Sequence, residues 1–292
     1  MNGILVIDKP SGKTSHDMVN FTRRLFGIKK VGHTGTLDPL ATGVLPVCIG
    51  KATKAADMLT ASDKGYTCQM VLGMTTDTLD AEGEILSRTP VTATKEEIEK
   101  TILGFIGEII QIPPMFSAIK YQGKKLYELA RAGITVDRES RTVTIYDIDI
   151  HEIDMTNHTV TFTVYCSKGT YIRTLCADIG MELQCGAYMN SLRRIKSADF
   201  TISHSFTKED LVKMKEEGTL ESALIPIDKV FEKYDRVELD AFLSGKAKNG
   251  VRIRKKGLKD GAFYRVYGED EGFLCISKYE NGELILEKAF WD

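Results

Sequence analysis

Gly32-His33-Thr34-Gly35-Thr36-Leu37-Asp38-Pro39-Leu40-Ala41-Thr42-Gly43-Val44-Leu45-Pro46 is the stretch on which the reading of this chain turns. Three glycines permit backbone angles that other residues resist. Pro39 fixes its own φ and pushes Asp38 towards extended angles. Thr36, Thr42 and free N–H groups offer hydrogen bonds around a single central carboxylate. Such a loop can hold a carboxylate in one pose and let a substrate backbone come close. Asp-Pro is also ordinary turn chemistry. Taken alone, the stretch reads equally well as a structural turn or as an active site.

The rest of the chain sets the context. Its 292 residues are 42% hydrophobic and 27% charged, with a net charge of −2. That composition fits a globular protein with a substantial core, either one large domain or a catalytic domain with a small companion. No apolar run is long enough to span a bilayer. The first residues, Met1 to Asp8, read as a strand rather than a signal peptide. The six cysteines are scattered through apolar segments without a C-x-x-C pair, and no His-x-x-x-His pair accompanies them. No metal site is expected, and the thiols read as buried and free in a reducing cytoplasm. A near-neutral chain that binds nucleic acid must segregate its charges onto faces.

Ile4–Asp8 reads as a buried strand, followed by a turn at Lys9-Pro10-Ser11-Gly12. Ser15 is expected to cap a helix carrying Met18, Val19, Thr22 and Leu25 inward, with Gly27 ending it. A short helix is expected over 54–59. Tyr66, Cys68, Met70 and Leu72 alternate as in a half-exposed strand. Thr94-Lys95-Glu96-Glu97 is a capping box opening a helix with Ile98, Ile102 and Phe105 on one face. Pro113-Pro114 stops regular structure, and 115–141 is a polar, basic excursion with a helical piece around Leu126, Leu129 and Ala130. Strand patterns resume at Val143, Ile145, Ile148 and Ile150, and again at Val160, Phe162, Val164 and Cys166. A helix follows with Ile172, Leu175, Cys176, Ile179 and Leu183 on one stripe. Residues 187–202 read as strand-rich, and 207–215 as a helix. Beyond about Phe231 come short strands and many glycines. Strands mixed with helices, without steady βαβ alternation, place the fold in the α+β class with a mixed or antiparallel sheet.

Gly12-Lys13-Thr14 invites a phosphate-loop reading, but the motif needs a glycine where Ile7 stands, and Pro10 lacks the N–H a phosphate cradle would use. The basic clusters say more. They are Arg23, Arg24, Lys29 and Lys30; Lys120, Lys124, Lys125 and Arg131; Arg193, Arg194 and Lys196; and the acid-free run from Lys246 to Lys259. Solvated faces and a track for a polyanion are equally good readings of them. Tyrosines near some clusters, such as Tyr121, Tyr127, Tyr171 and Tyr188, favour RNA, whose flipped bases stack on rings. Arg173 stands at the start of an apolar-striped helix, where the dipole disfavours a cation. It snorkels, or it pairs with a buried anion, and Asp38 is the obvious candidate.

At these residues the chain resembles the bacterial tRNA pseudouridine synthases of the TruB type. The motifs are Lys9-Pro10-Ser11-Gly12, the 32–46 stretch, Ser62-Asp63-Lys64-Gly65-Tyr66, Pro113-Pro114-Met115-Phe116-Ser117-Ala118 and Gly169-Thr170-Tyr171-Ile172-Arg173-Thr174-Leu175, in the family's order. The resemblance implies isomerisation of uridine 55 in the T-loop of tRNA, without metal or organic cofactor. It implies that Asp38 is the nucleophile, with attack at C1′, attack at C6 and elimination all open to it. It implies that Arg173 pairs with Asp38 and keeps it ionised, and that Tyr66 stacks on the target uracil. Tyr171 and Leu192 are then expected to line the pocket, His33 to hold the rearranged T-loop, and Lys9 to support the site or contact RNA. It further implies a mixed-sheet catalytic domain over 1–230, an RNA-gripping thumb inserted at 113–141, and a small β-rich PUA-like domain over 231–292. The expected partner is the tRNA T-arm stem-loop, with no membrane and no obligate protein partner, for a cytoplasmic monomer.

Overall fold

The computed structural model describes residues 1–269 and 272–291; Asp270, Glu271 and Asp292, part of the expected tail, lie outside the described residues. Strand β1 (Gly3–Lys9) is buried along its apolar run. Helix α1 (Ser15–Phe26) turns Met18, Val19, Thr22 and Leu25 inward and ends at Gly27 in the left-handed conformation. Its cap is Thr14 rather than Ser15. The Thr14 hydroxyl accepts from the Asp17 N–H, and the Asp17 carboxylate accepts in return from the Thr14 N–H. This leaves the Ser15 hydroxyl free to bond elsewhere.

The glycine-rich stretch is β2 (Val31–His33), a loop, and the start of β3 (Thr42–Ile49), which pairs antiparallel with both β1 and β2. A 3₁₀ turn at Gly50–Ala55 occupies the start of the helix expected over 54–59, and α2 (Ala56–Thr60) follows it. Strand β4 (Lys64–Leu72) is not half-exposed. It is an interior strand, and Cys68, Met70 and Leu72 are almost wholly buried. The hairpin β5 (Met74–Thr76) and β6 (Ile85–Arg88) precedes α3 (Lys95–Leu103), which opens on the Thr94–Glu97 capping box.

Strand β7 (Gly107–Gln111) leads into the basic excursion. There the structure has only β8 (Lys120–Tyr121), β9 (Lys124–Lys125) and α4 (Leu126–Arg131). Strands β10 (Arg141–Asp154) and β11 (Thr159–Cys166), helix α5 (Ile172–Glu182), strands β12 (Ala187–Ser197) and β13 (Phe200–Thr201), and helix α6 (Lys208–Glu216) complete this part.

The main sheet runs β1-β3-β12-β4-β11-β10-β7, with β2 on β3 and β13 on β12. All its pairs are antiparallel except β3–β12, so the sheet is mixed. That parallel contact joins Gly43 to Arg194. Gly43 has φ +99°, and a Cβ there would lie 2.2 Å from the Arg194 carbonyl oxygen. Glycine is therefore needed to bring the loop stretch against β12. Because Gln111 and Arg141 are direct partners, the basic excursion leaves and rejoins the sheet at neighbouring points on β7 and β10.

A second sheet of five strands follows. It consists of β14 (Asp235–Leu239), then helix α7 (Ala241–Lys248), then β15 (Ile253–Arg254), β16 (Phe263–Gly268), β17 (Gly272–Glu280) and β18 (Glu283–Ala289), in the order β14-β16-β17-β18-β15. It is seated on the first through a shared apolar cluster in which Ile276 and Phe290 join Ile4, Val6 and Val44. Lys54 Nζ also donates to the Trp291 carbonyl at 3.0 Å. No helix among the described residues is long and apolar enough to cross a membrane.

Candidate active site

Arg173 organises the site. It lies in the first turn of α5 with its side chain only 5% exposed. Its Nε faces Asp38 Oδ2 at 3.0 Å, and its Nη2 donates to Asp38 Oδ1 at 3.2 Å, a two-point pairing. Nη2 also donates to the Phe116 carbonyl at 2.8 Å. Nη1 donates to the Thr78 carbonyl at 3.1 Å and stands 3.5 Å from Asp80 Oδ2. The guanidinium thus makes three hydrogen bonds, to Asp38, Phe116 and Thr78, and two further ion-pair contacts, to Asp38 and Asp80. The cation that the helix dipole disfavours is held by two carboxylates and two carbonyls.

Asp38 is positioned by its neighbours. The Ser15 hydroxyl donates to the Leu37 carbonyl at 3.2 Å and accepts from the Leu37 N–H at 2.8 Å. The Ala41 N–H donates to the Asp38 carbonyl at 3.1 Å, closing the turn through Pro39. One third of the Asp38 side chain is exposed, and it faces a cavity of about 370 Å³. Burial raises its carboxyl above the usual range; Arg173 opposes this, and the Asp80 charge adds to it.

Tyr66, Tyr171 and Leu192 line the same cavity, as expected. Tyr66 comes from β4 and is directly opposite Arg194 on β12. Arg194 is 1% exposed. Its Nε donates to the Val44 carbonyl at 2.7 Å and its Nη2 to the Gly35 carbonyl at 3.2 Å. Burial raises the Tyr66 hydroxyl, so the ring is a neutral phenol at neutral pH. Lys64 also lines the wall. Its ammonium donates to the Thr60 carbonyl at 2.7 Å and to the Ser62 carbonyl, and burial lowers it to about 8. The cavity therefore presents one carboxylate among three cations, beside two tyrosines.

Two family models match the chain: the TruB family pseudouridylate synthase N-terminal domain over residues 23–172, and the tRNA pseudouridylate synthase B C-terminal domain over 173–232. The chain is 47% identical over 298 residues to a tRNA pseudouridine synthase B of Clostridium novyi (strain NT), covering 99% of each. It is 49% identical over 260 residues to that of Alkaliphilus oremlandii (strain OhILAs), covering 89% of this chain and 85% of the relative. The chain belongs to the TruB family of pseudouridylate synthases. Among solved structures, a Cbf5–Nop10–Gar1 complex is similar with a TM-score of 0.75 and 28% identity, over 99% of this chain and 85% of that one. An H/ACA RNP bound to a substrate RNA containing 2′-deoxyuridine follows with a TM-score of 0.74 and 26% identity, over 99% and 85%. The mixed sheet with its added β-rich unit is thus a pseudouridine synthase fold.

Not every expected site residue of this TruB chain is placed as the sequence suggested. Lys9 is wholly buried. Its ammonium donates to the carbonyls of Pro10, Lys13 and Pro39 at 2.9, 2.6 and 3.1 Å. Its side chain is turned away from the surface and joins the Asp38 loop to the turn after β1. The same carbonyls point inward on a cation, the opposite polarity to a phosphate cradle, which closes the phosphate-loop reading. His33 is half-buried beside the loop, with its Nδ1 accepting from the Gly35 N–H at 3.3 Å, and it does not line the cavity. Burial lowers its imidazole.

The cluster Arg193, Arg194 and Lys196 is not one basic face. Arg194 is buried in the site, Arg193 pairs with Asp8 at 2.7 Å, and only Lys196 is exposed. Strand alternation held the signal, since it sets Leu192 and Arg194 on one side and Arg193 on the other. Asp80 was also missed. It sits in a turn held by its own bonds from the Thr78 hydroxyl at 2.6 Å and the Glu82 N–H at 3.1 Å. Nothing local to Asp80 announces a partner on α5.

Proposed function

We propose that this chain isomerises uridine to pseudouridine at position 55 in the T-loop of tRNA, with Asp38 as the nucleophile. The reaction breaks the bond from C1′ of ribose to N1 of uracil, turns the base, and joins C1′ to C5. The C5 hydrogen leaves as a proton and N1 gains one, so the change is redox-neutral. The observation that carries the reading is the Asp38 carboxylate, gripped at two points by Arg173 on the wall of a cavity shared with Tyr66 and Tyr171.

In this reading the flipped uridine enters the cavity and stacks on Tyr66. The neutral phenol supplies an apolar face near the proton lost from C5. Arg173 orients Asp38 and offsets the burial that would otherwise keep it protonated. Tyr171 and Leu192 shape the wall, and His33 meets the rearranged loop outside it. Segment 113–141, with Lys120, Lys124 and Arg131 exposed, acts as a thumb on the RNA. Catalysis belongs to a domain over 1–230. Residues 231–292 form a PUA-like domain, whose exposed Arg252, Arg254, Lys256 and Lys259 suit a phosphate backbone. The partner is the T-arm stem-loop, and the protein acts as a single subunit in the cytoplasm.

The test is incubation with an unmodified tRNA transcript and mapping of pseudouridine. Formation at position 55 alone is expected. Formation elsewhere, or none, overturns the assignment.

A further inference from the structure

Tyr171 is held by a side chain outside the cavity. Gln111 ends β7 and is wholly buried. Its Nε2 donates to the Tyr171 carbonyl at 3.2 Å, and its Oε1 accepts from the Tyr171 N–H at 3.0 Å. Only one orientation of the amide satisfies both bonds. A side chain here makes the pair of contacts that a neighbouring strand would make. Tyr171 is the N-cap of α5 and has no side-chain cap bond of its own. Two residues further on lies Arg173.

The surroundings give this clamp a direction. The Gln111 main chain pairs with Arg141, the first residue of β10. The Arg141 guanidinium lies 5.6 Å from the centroid of the Tyr171 ring. Arg173 in turn donates to the Phe116 carbonyl. The start of α5 is therefore fastened at three points, Gln111, Phe116 and Arg141, to the two ends of the excursion over 113–141.

We propose that Gln111 is a positioning residue for the isomerisation: its amide fixes the turn into α5, and so aims Tyr171 into the cavity and the Arg173 guanidinium at Asp38. The inference rests on the functional reading above and extends it to the root of the excursion. A shift of the α5 start by about an ångström would open the two-point pairing of Arg173 with Asp38, and misplacement on that scale costs about 100-fold in rate.

Two substitutions test it. Gln111→Met keeps the length and removes both bonds. On unmodified tRNA under single-turnover conditions its rate falls about 100-fold, while tRNA affinity stays within about threefold, because the residue is buried away from the RNA. Gln111→Glu supplies the sharper readout. A protonated carboxyl reproduces the donor and the acceptor, whereas an ionised one faces the Tyr171 carbonyl with no donor. Burial raises that carboxyl. Its rate relative to the wild type is expected to be highest at low pH and to fall as pH rises, which adds a high-pH limb absent from the wild-type profile.

A Gln111→Met rate equal to wild type, or a Gln111→Glu profile without the added limb, overturns the proposal. If Gln111→Met does not fold, the Gln111→Glu profile decides. Amide hydrogen exchange at Tyr171 separates the two layers. It accelerates in Gln111→Met if the clamp holds, whatever the reaction, and unchanged exchange removes the clamp. Absence of pseudouridine from the wild type removes the functional reading, and the positioning role of Gln111 with it.

Discussion

Arg173 stands between two aspartates from contrasting neighbourhoods. Asp80 comes from the β5–β6 hairpin, is 5% exposed by side chain, and is tied down by the Thr78 hydroxyl and the Glu82 N–H. Asp38 comes from the glycine-rich loop and has a third of its side chain on the cavity. Among the described residues its carboxylate oxygens bond only Arg173. The same residue type on the same guanidinium is an anchor in one place and, in the proposed function, a reactant in the other. What distinguishes them is how many bonds already hold the carboxylate and whether it faces open space.

The comparison breaks most sharply at Asp38. Asp38→Asn is expected to lower the single-turnover rate by at least about 1,000-fold, because a displaced nucleophile has no substitute. Its tRNA affinity should be retained. Its melting temperature at neutral pH should stay at or above wild type, since burial makes ionisation of Asp38 unfavourable in the folded state. A fall in both rate and melting temperature would make Asp38 another anchor.

Asp80→Asn should show the reverse balance. Loss of a buried, bonded charge destabilises by about 1–3 kcal/mol in chemical denaturation. The rate should fall less than for Asp38→Asn, by about 10- to 100-fold, through a loosened Arg173. A rate loss as deep as that of Asp38→Asn, with stability intact, would move Asp80 into the chemistry.

The pH dependence sharpens the same contrast. As the proposed nucleophile Asp38 must be an anion, and burial raises its carboxyl. The rate should therefore fall as pH drops, and the fall should begin at a higher pH than an unperturbed aspartate would give. A rate that stays flat down to the ordinary carboxylate range would contradict the environment described for Asp38.

The smallest effect on function is expected at Lys9. Lys9→Met leaves three inward carbonyls without their donor and should cost about 1–3 kcal/mol of stability. The tRNA dissociation constant should not change. Weakened binding in a variant of unchanged stability would return Lys9 to the RNA-contacting role that its sequence context suggested.

Much of this was legible before the fold was known. The apolar run Ile4–Ile7, the capping box at Thr94 and the stripe from Ile172 to Ile179 each carry their own periodicity, and each forms the expected element. The Asp38–Arg173 pairing was reachable because an arginine at a helix start demands an anion. Lys9, Asp80, Arg194 and Gln111 were harder, because their partners are fixed by register across the sheet. The β3–β12 contact at Gly43 brings Arg194 into the site, and the β7–β10 pairing brings Gln111 to Tyr171. Strand β4 read as half-exposed because its alternation is visible in the sequence, whereas its two neighbours are not.

The most direct measurement follows the hydrogen that the chemistry must release. A tRNA transcript with labelled C5 hydrogens on its uridines is mixed with excess protein, and label appearing in water is counted per tRNA. The account predicts one equivalent released by the wild type and none above background by Asp38→Asn, with both proteins retaining the tRNA in a binding assay. Release by Asp38→Asn at a rate near that of the wild type would contradict it.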